Sequence, residues 1–154
     1  MSEPLLNVTG LSKSFSAVQA VRGVDLAIPK GSTFGLVGES GSGKSTTARL
    51  VLRLIEPSAG QIRFRGQDLS KLGARALRAE RRHMQMIFQD PFGSLNPRMS
   101  VRETLVEPQL VHDVGTPDER VRTAARLLDE VSLPQAALDR FPHEFSGGQR
   151  QRIA

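Results

Sequence analysis

The chain has 154 residues, 38% of them hydrophobic and 24% charged, which suits a folded domain with a sizeable core and excludes a disordered composition. Its net charge is +5, from 21 basic and 16 acidic residues. No apolar run reaches the ~18 residues of a membrane span, and the absence of cysteine excludes disulfides, thiolate metal sites and cysteine nucleophiles.

Two local features set further limits. Met1-Ser2-Glu3-Pro4 lacks the basic and apolar regions of a signal peptide. The densest basic group (Arg75, Arg78, Arg81 and Arg82) shares its predicted helix with Glu80, and no run of five or six like charges occurs. That is the pattern of a moderately basic surface, and no nucleic-acid partner is expected.

In chain order, the first thirty residues read as β-structure. Leu6/Val8 and Val24/Leu26/Ile28 alternate, and Lys30-Gly31 makes a turn. The apolar run Thr33 to Val37 reads as a strand leading into a glycine-rich loop. Ser45 to Leu54 has helical spacing, with Ala48, Leu50, Val51 and Leu54 on one face. Pro57 to Gly60 is a predicted turn, Ile62 and Phe64 alternate in a strand, Ser70 to Arg82 reads as a helix, and Met84 to Phe88 reads as a buried strand.

From residue 89 the pattern changes. Asp90 to Arg98 is predicted as a loop because it holds two prolines, a glycine and an asparagine. Ser100-x-x-Glu103 and Thr116-Pro117-Asp118-Glu119 are capping boxes, each opening a helix. Val121, Ala124, Leu128 and Val131 carry the second helix on with helical period.

Gly38-Glu39-Ser40-Gly41-Ser42-Gly43-Lys44-Ser45 matches G-x-x-x-x-G-K-[ST] between a predicted strand and a predicted helix. The glycines let successive backbone N–H groups face phosphate oxygens, and the helix adds its positive dipole end. Lys44 is placed to bridge the terminal phosphates, and the Ser45 hydroxyl to bind Mg²⁺. The pattern points to a nucleoside triphosphate but leaves kinases, GTPases and transport ATPases open.

Phe145-Ser146-Gly147-Gly148-Gln149 lies about a hundred residues further on. Alone, it reads as a glycine turn with a Ser146/Gln149 cap before a helix. With the phosphate loop, it resembles the L-S-G-G-Q signature of ABC transporter nucleotide-binding domains, with Phe145 in place of leucine. The stretches Phe88 to Arg98 and Arg140-Phe141-Pro142-His143-Glu144 resemble the importer branch that moves peptides, nickel, opines or glutathione.

The resemblance implies an α/β fold of the P-loop NTPase type. That fold is a RecA-like ABC ATPase core with an N-terminal antiparallel β region and a helical subdomain. It divides the chain into a β-rich and phosphate-loop part (1–88), a Q-loop and helical subdomain (89–144), and the signature with the start of its helix (145–154). It also implies that ATP is bound by Phe15, Gly38 to Ser45, Thr46 and Gln89, with Phe15 stacking on adenine. Mg²⁺ would be held by Ser45 and Gln89. Lys44, Gln89, Ser146, Gly148 and Gln149 would serve catalysis, the last three reaching ATP held by another copy.

The partners implied are a second ATP-binding subunit (identical or different), transmembrane permease subunits docked near residues 89–112, and, indirectly, an extracellular solute-binding protein. The place implied is the cytoplasmic face of the membrane. Family members carry a Walker B strand ending in Asp-Glu, a D-loop and a switch histidine after the signature. The chain therefore reads as an N-terminal fragment, truncated before the Walker B strand, expected to be marginally stable and to hydrolyse little ATP alone. Leu127-Leu128-Asp129-Glu130 has Walker B letters but lies in a predicted helix before the signature. His83, His112 and His143 also precede the signature, so none matches the switch histidine. Two alternatives stay open: a non-catalytic interaction module and a non-transport ABC ATPase.

Overall fold

The computed structural model describes residues 3–88 and 91–154. It divides into two compact units, Met1–Gln85 and Met86–Ala154. In the first unit, β1 (Leu6–Phe15) and β2 (Val18–Ile28) form a long hairpin. β3 (Ala59–Phe64) adds to the other edge of β1, and β4 (Gln67–Asp68) follows, giving a four-stranded sheet in the order β2-β1-β3-β4. All pairings are antiparallel.

The hairpin is irregular, and short side chains bridge its interruptions. Asp25 Oδ1 accepts from the Gly10 N–H at 2.6 Å, and Ser12 Oγ accepts from the Gly23 N–H at 2.9 Å. β3 approaches β1 so closely that a Cβ on Gly60, whose φ is +99°, would lie 2.6 Å from the Gly10 carbonyl oxygen. Only glycine fits there.

The helix α1 (Lys44–Val51) packs Leu50 into the core of the sheet with Val8, Leu11, Val21, Ile62, Phe64 and Leu69. It ends at Leu52, and Arg53 follows in the left-handed region at φ +51°. The buried Arg53 guanidinium donates to the Leu69 carbonyl oxygen at 2.7 Å and to Glu56 at 2.8 Å, tying the end of α1 to the far side of β4.

Three expectations for this part are corrected. Residues 33–37 and 84–88 are not strands. Their composition suits β-structure, but a strand exists only through a hydrogen-bonded neighbour, and none of the described residues provides one. Residues 33–37 are all exposed, Val37 at 93%; in 84–88 Ile87 is 82% exposed, while Met84 packs against the core of the sheet without strand pairing. The stretch 70–82 is not one helix. Asp68 accepts from the Ser70 N–H at 3.0 Å and closes a 3₁₀ turn, Leu69–Lys71, and an extended Gly73 separates that turn from α2 (Ala74–Arg81).

In the second unit, α3 (Pro91–Ser94) is a single helical turn inside the stretch expected to be a loop. Proline is preorganised for the first helical position, so its presence did not exclude a helix. α4 (Val101–Val111) and α5 (Pro117–Glu130) start at the two expected capping boxes. α6 (Gly147–Ile153) follows two 3₁₀ turns, Gln135–Asp139 and Pro142–Glu144. Leu95, Val101, Ala124, Leu128, Leu133, Leu138, Phe145 and Ile153 form the core of this unit. Among the described residues no helix is long and apolar enough to cross a membrane.

Candidate functional site

The loop between residues 38 and 43 runs into the N-terminus of α1. Gly43 caps the helix in the left-handed region at φ +88°. A Cβ there would lie 2.5 Å from the Ala20 carbonyl oxygen, so the loop is pressed against β2. Ser42 N–H donates to Glu39 O at 3.2 Å, and Thr47 closes the first turn of α1 onto the Gly43 carbonyl oxygen through its N–H (2.7 Å) and its hydroxyl (2.9 Å). No acidic residue stands in that turn to offset the positive end of the helix.

Lys44 folds back over the loop. Its ammonium donates to the Gly38 carbonyl at 2.6 Å, the Glu39 carbonyl at 2.5 Å and the Ser42 hydroxyl at 3.2 Å. A cation held there by neutral oxygens is poised to exchange them for phosphate oxygens, because a negatively charged acceptor adds Coulombic attraction to a bond whose donor is already charged. Ser45 and Ser40 are exposed, and Thr46 is half-buried.

Beside the loop, a groove of about 480 Å³ is lined by Val18, Gln19, Ala20 and Val21 of β2 together with Gly41, Ser42 and Thr47. Val18 pairs with Phe15 across the tip of the hairpin. Phe15 is 48% exposed, so its ring stands outside the core. The first unit therefore brings Phe15, Gly38 to Ser45 and Thr46 onto one set of elements: the hairpin tip, the loop and the start of α1. Gln89 lies outside the described residues.

The exposed Ser45 hydroxyl, in the first turn of α1, is a fitting oxygen donor for Mg²⁺. That ion takes one or two protein ligands and completes its shell with phosphate oxygens and water. Among the described residues, no group of three His, Asp or Glu side chains forms a metal site.

The second unit carries the signature. Ser146 caps α6 and accepts from the Gln149 N–H at 3.3 Å, while Gln149 Oε1 accepts from the Ser146 N–H at 2.9 Å. The cap uses Ser146 Oγ as an acceptor and leaves its O–H proton available to donate. Phe145 is buried, 4% exposed, in the core of this unit. The Arg140 guanidinium lies 4.5 Å from the centre of its ring. Arg150 Nε donates to the Phe145 carbonyl oxygen at 3.0 Å, and Arg152 reaches the Val131 carbonyl oxygen at the end of α5 at 2.8 Å. Gly148 has open space where its Cβ would be.

The Walker B look-alike is accounted for by helix packing and surface bonds. Leu128 is a core residue of α5, Asp129 accepts from Gln135 at 2.7 Å, and Glu130 pairs with Arg126 at 3.0 Å. The aromatic ring of His143 stacks on Phe141 with centres 5.9 Å apart. Two contacts escaped the sequence: Arg140 over Phe145, and Lys13 over Phe15 at 5.0 Å. Only the second had a local signal, because residues two apart on a strand share a face.

Residues 21–154 match the family model for the ABC transporter. The chain is 51% identical to a peptide import ATP-binding protein of Brucella ovis, over 97% of this chain and 49% of that one. It is 51% identical to the oligopeptide transport ATP-binding protein AppF of Bacillus subtilis, over 88% of this chain and 42% of that one. It is 45% identical to the glutathione import ATP-binding protein GsiA of Salmonella paratyphi A, over 98% of this chain and 26% of that one. The chain thus spans about half the length, or less, of these curated relatives.

Among solved structures, the fold matches a dimeric ATP-binding cassette in a post-hydrolysis state bound to ADP and Pi. The TM-score is 0.82 at 25% identity, over 96% of this chain and 66% of that one. An ATP-binding subunit of an ABC transporter matches with a TM-score of 0.78 at 30% identity, over 97% of this chain and 59% of that one.

Proposed function

The chain belongs to the ABC transporter family, and we propose that it serves as the ATP-binding part of an importer whose solute is a peptide. The observation that carries this reading is the phosphate loop: a Lys44 ammonium held over a loop that ends at an α-helix N-terminus, beside a groove along β2. Peptide as the solute rests on the names of the relatives in Brucella ovis and Bacillus subtilis.

In this reading Phe15 stacks on adenine, and the groove along β2 takes the ribose. The N–H groups of residues 38–46 and the Lys44 ammonium bind the phosphates. Ser45 and Gln89 would hold Mg²⁺, which would supply positive charge against the phosphates. Ser146, Gly148 and Gln149 donate to the γ-phosphate of ATP held by a second subunit, identical or different. Gly148 supports this role: it weakens the first turn of α6 without filling any steric need of its own fold. Its missing Cβ leaves room for a phosphate to approach the backbone.

The subunit binds peripherally at the cytoplasmic face of the membrane, where residues 89–112 contact the permease. A solute-binding protein outside the membrane delivers the peptide. The test is ATP-driven uptake of a labelled oligopeptide by vesicles carrying the natural subunit with its permease. Uptake that stops with Lys44→Ala supports the reading. Uptake of nickel or glutathione but no peptide would contradict the solute assignment, and uptake that survives Lys44→Ala would contradict the role of the loop.

A further inference from the structure

Lys13 and Phe15 are two residues apart on β1, on the same face of the strand. The Lys13 ammonium lies 5.0 Å from the centre of the Phe15 ring. The same ammonium donates to the Glu56 carbonyl oxygen at 2.7 Å, in the connection between α1 and β3. A lysine side chain in water samples many rotamers. This one is tethered at its tip to a backbone group 43 residues away in sequence. The tether holds a positive charge against one face of a ring that is otherwise half in solvent.

A phenyl ring has two faces, both negative in potential. A cation on one face satisfies that face and lowers the negative potential of the other. The far face then stacks better on an electron-rich π-system, and a purine is the largest such surface among the nucleobases. The tether also fixes the ring, so less conformational freedom is lost when a base stacks on it.

We propose that Lys13 is a positioning residue for nucleobase recognition: its ammonium, anchored on the Glu56 carbonyl oxygen, covers one face of Phe15 and directs a purine onto the other. This deepens the proposed nucleotide site and rests on that reading. Lys13 touches no phosphate in this scheme, so its effect is confined to ligands that carry a base.

The experiment measures equilibrium binding of two magnesium complexes, ATP and inorganic tripolyphosphate, to the natural full-length protein and to Lys13→Met and Lys13→Arg. Methionine keeps an apolar chain of similar length and removes the charge. Lys13→Met is expected to weaken ATP about two- to fivefold, the usual span for an exposed cation–π contact, and to leave tripolyphosphate unchanged. Lys13→Arg is expected to restore most of the ATP affinity. Equal weakening of both ligands would make Lys13 a merely structural residue and overturn the inference. Unchanged or tighter ATP binding by Lys13→Met would overturn it too, the latter by placing the ammonium where the base belongs. A wild-type protein that binds tripolyphosphate but gains nothing from the base would overturn this inference alone. One that binds neither ligand would overturn the nucleotide site as well.

Discussion

Gly43 and Ala20 are in closer contact than any other residue type at position 43 would permit. A Cβ on Gly43 would lie 2.5 Å from the Ala20 carbonyl oxygen, and the φ of Gly43 is +88°. The glycine is therefore required twice, once for its backbone angle and once for the approach of the loop to β2. Gly43→Ala is expected to lower the unfolding free energy of the protein by about 1–3 kcal/mol, the cost of a strained backbone. Denaturant unfolding checks this; a midpoint equal to that of the wild type would show that the loop can move away from β2 without penalty.

Gly148 presents the opposite case. Nothing lies within 4 Å of where its Cβ would be. In a helix alanine is favoured over glycine by about 1 kcal/mol, so Gly148→Ala is expected to keep or raise the melting temperature. It is also expected to weaken ATP-dependent dimerisation, because the added methyl group stands where a phosphate of the second subunit would approach. Sedimentation with and without ATP separates the two effects. A variant that is stable and dimerises normally would remove Gly148 from the proposed interface.

The caps of the second unit should make it sensitive to acid. Glu103 is held below the usual carboxylate range by the Ser100 N–H and hydroxyl, Glu119 by the Thr116 N–H and hydroxyl, and Glu144 by the Phe141 N–H. A carboxyl whose pKa is lower in the folded state adds stability at pH values above its unfolded pKa. That stability is lost as the pH falls through the folded value. Helix content followed by circular dichroism is therefore expected to fall on acidification below the ordinary glutamate range. Glu119→Gln is expected to be less stable than the wild type at pH 7 and equal to it at the acid end. A constant difference across the range would contradict the capping account.

The parts legible in the sequence were those written in contiguous residues. The phosphate loop is an unbroken run of eight residues, and each capping box joins residues only three apart, as in the bond from Glu103 N–H to Ser100 Oγ at 3.2 Å. What needed the structure depends on distant partners. Residues 33–37 have strand composition, but their composition cannot state whether a neighbour exists to pair with them. The break at Gly73 rests on a local bond from Ser70 to Asp68 that competes with helix formation. The contacts of Lys13 with Glu56 and of Arg140 with Phe145 depend on rotamers, which no spacing rule fixes.

Binding of the ATP phosphates by Lys44 and its loop underlies the whole proposed site. Its most direct measurement is the equilibrium affinity of the natural protein for MgATP, compared with Lys44→Ala. The Lys44 ammonium donates to Gly38, Glu39 and Ser42, all acceptors on its own loop, so its removal should leave the fold intact. Loss of a charge-assisted bond is expected to weaken ATP by about tenfold or more, the equivalent of 1.5–3 kcal/mol. Equal affinities in the two proteins, with both folded, would contradict the account.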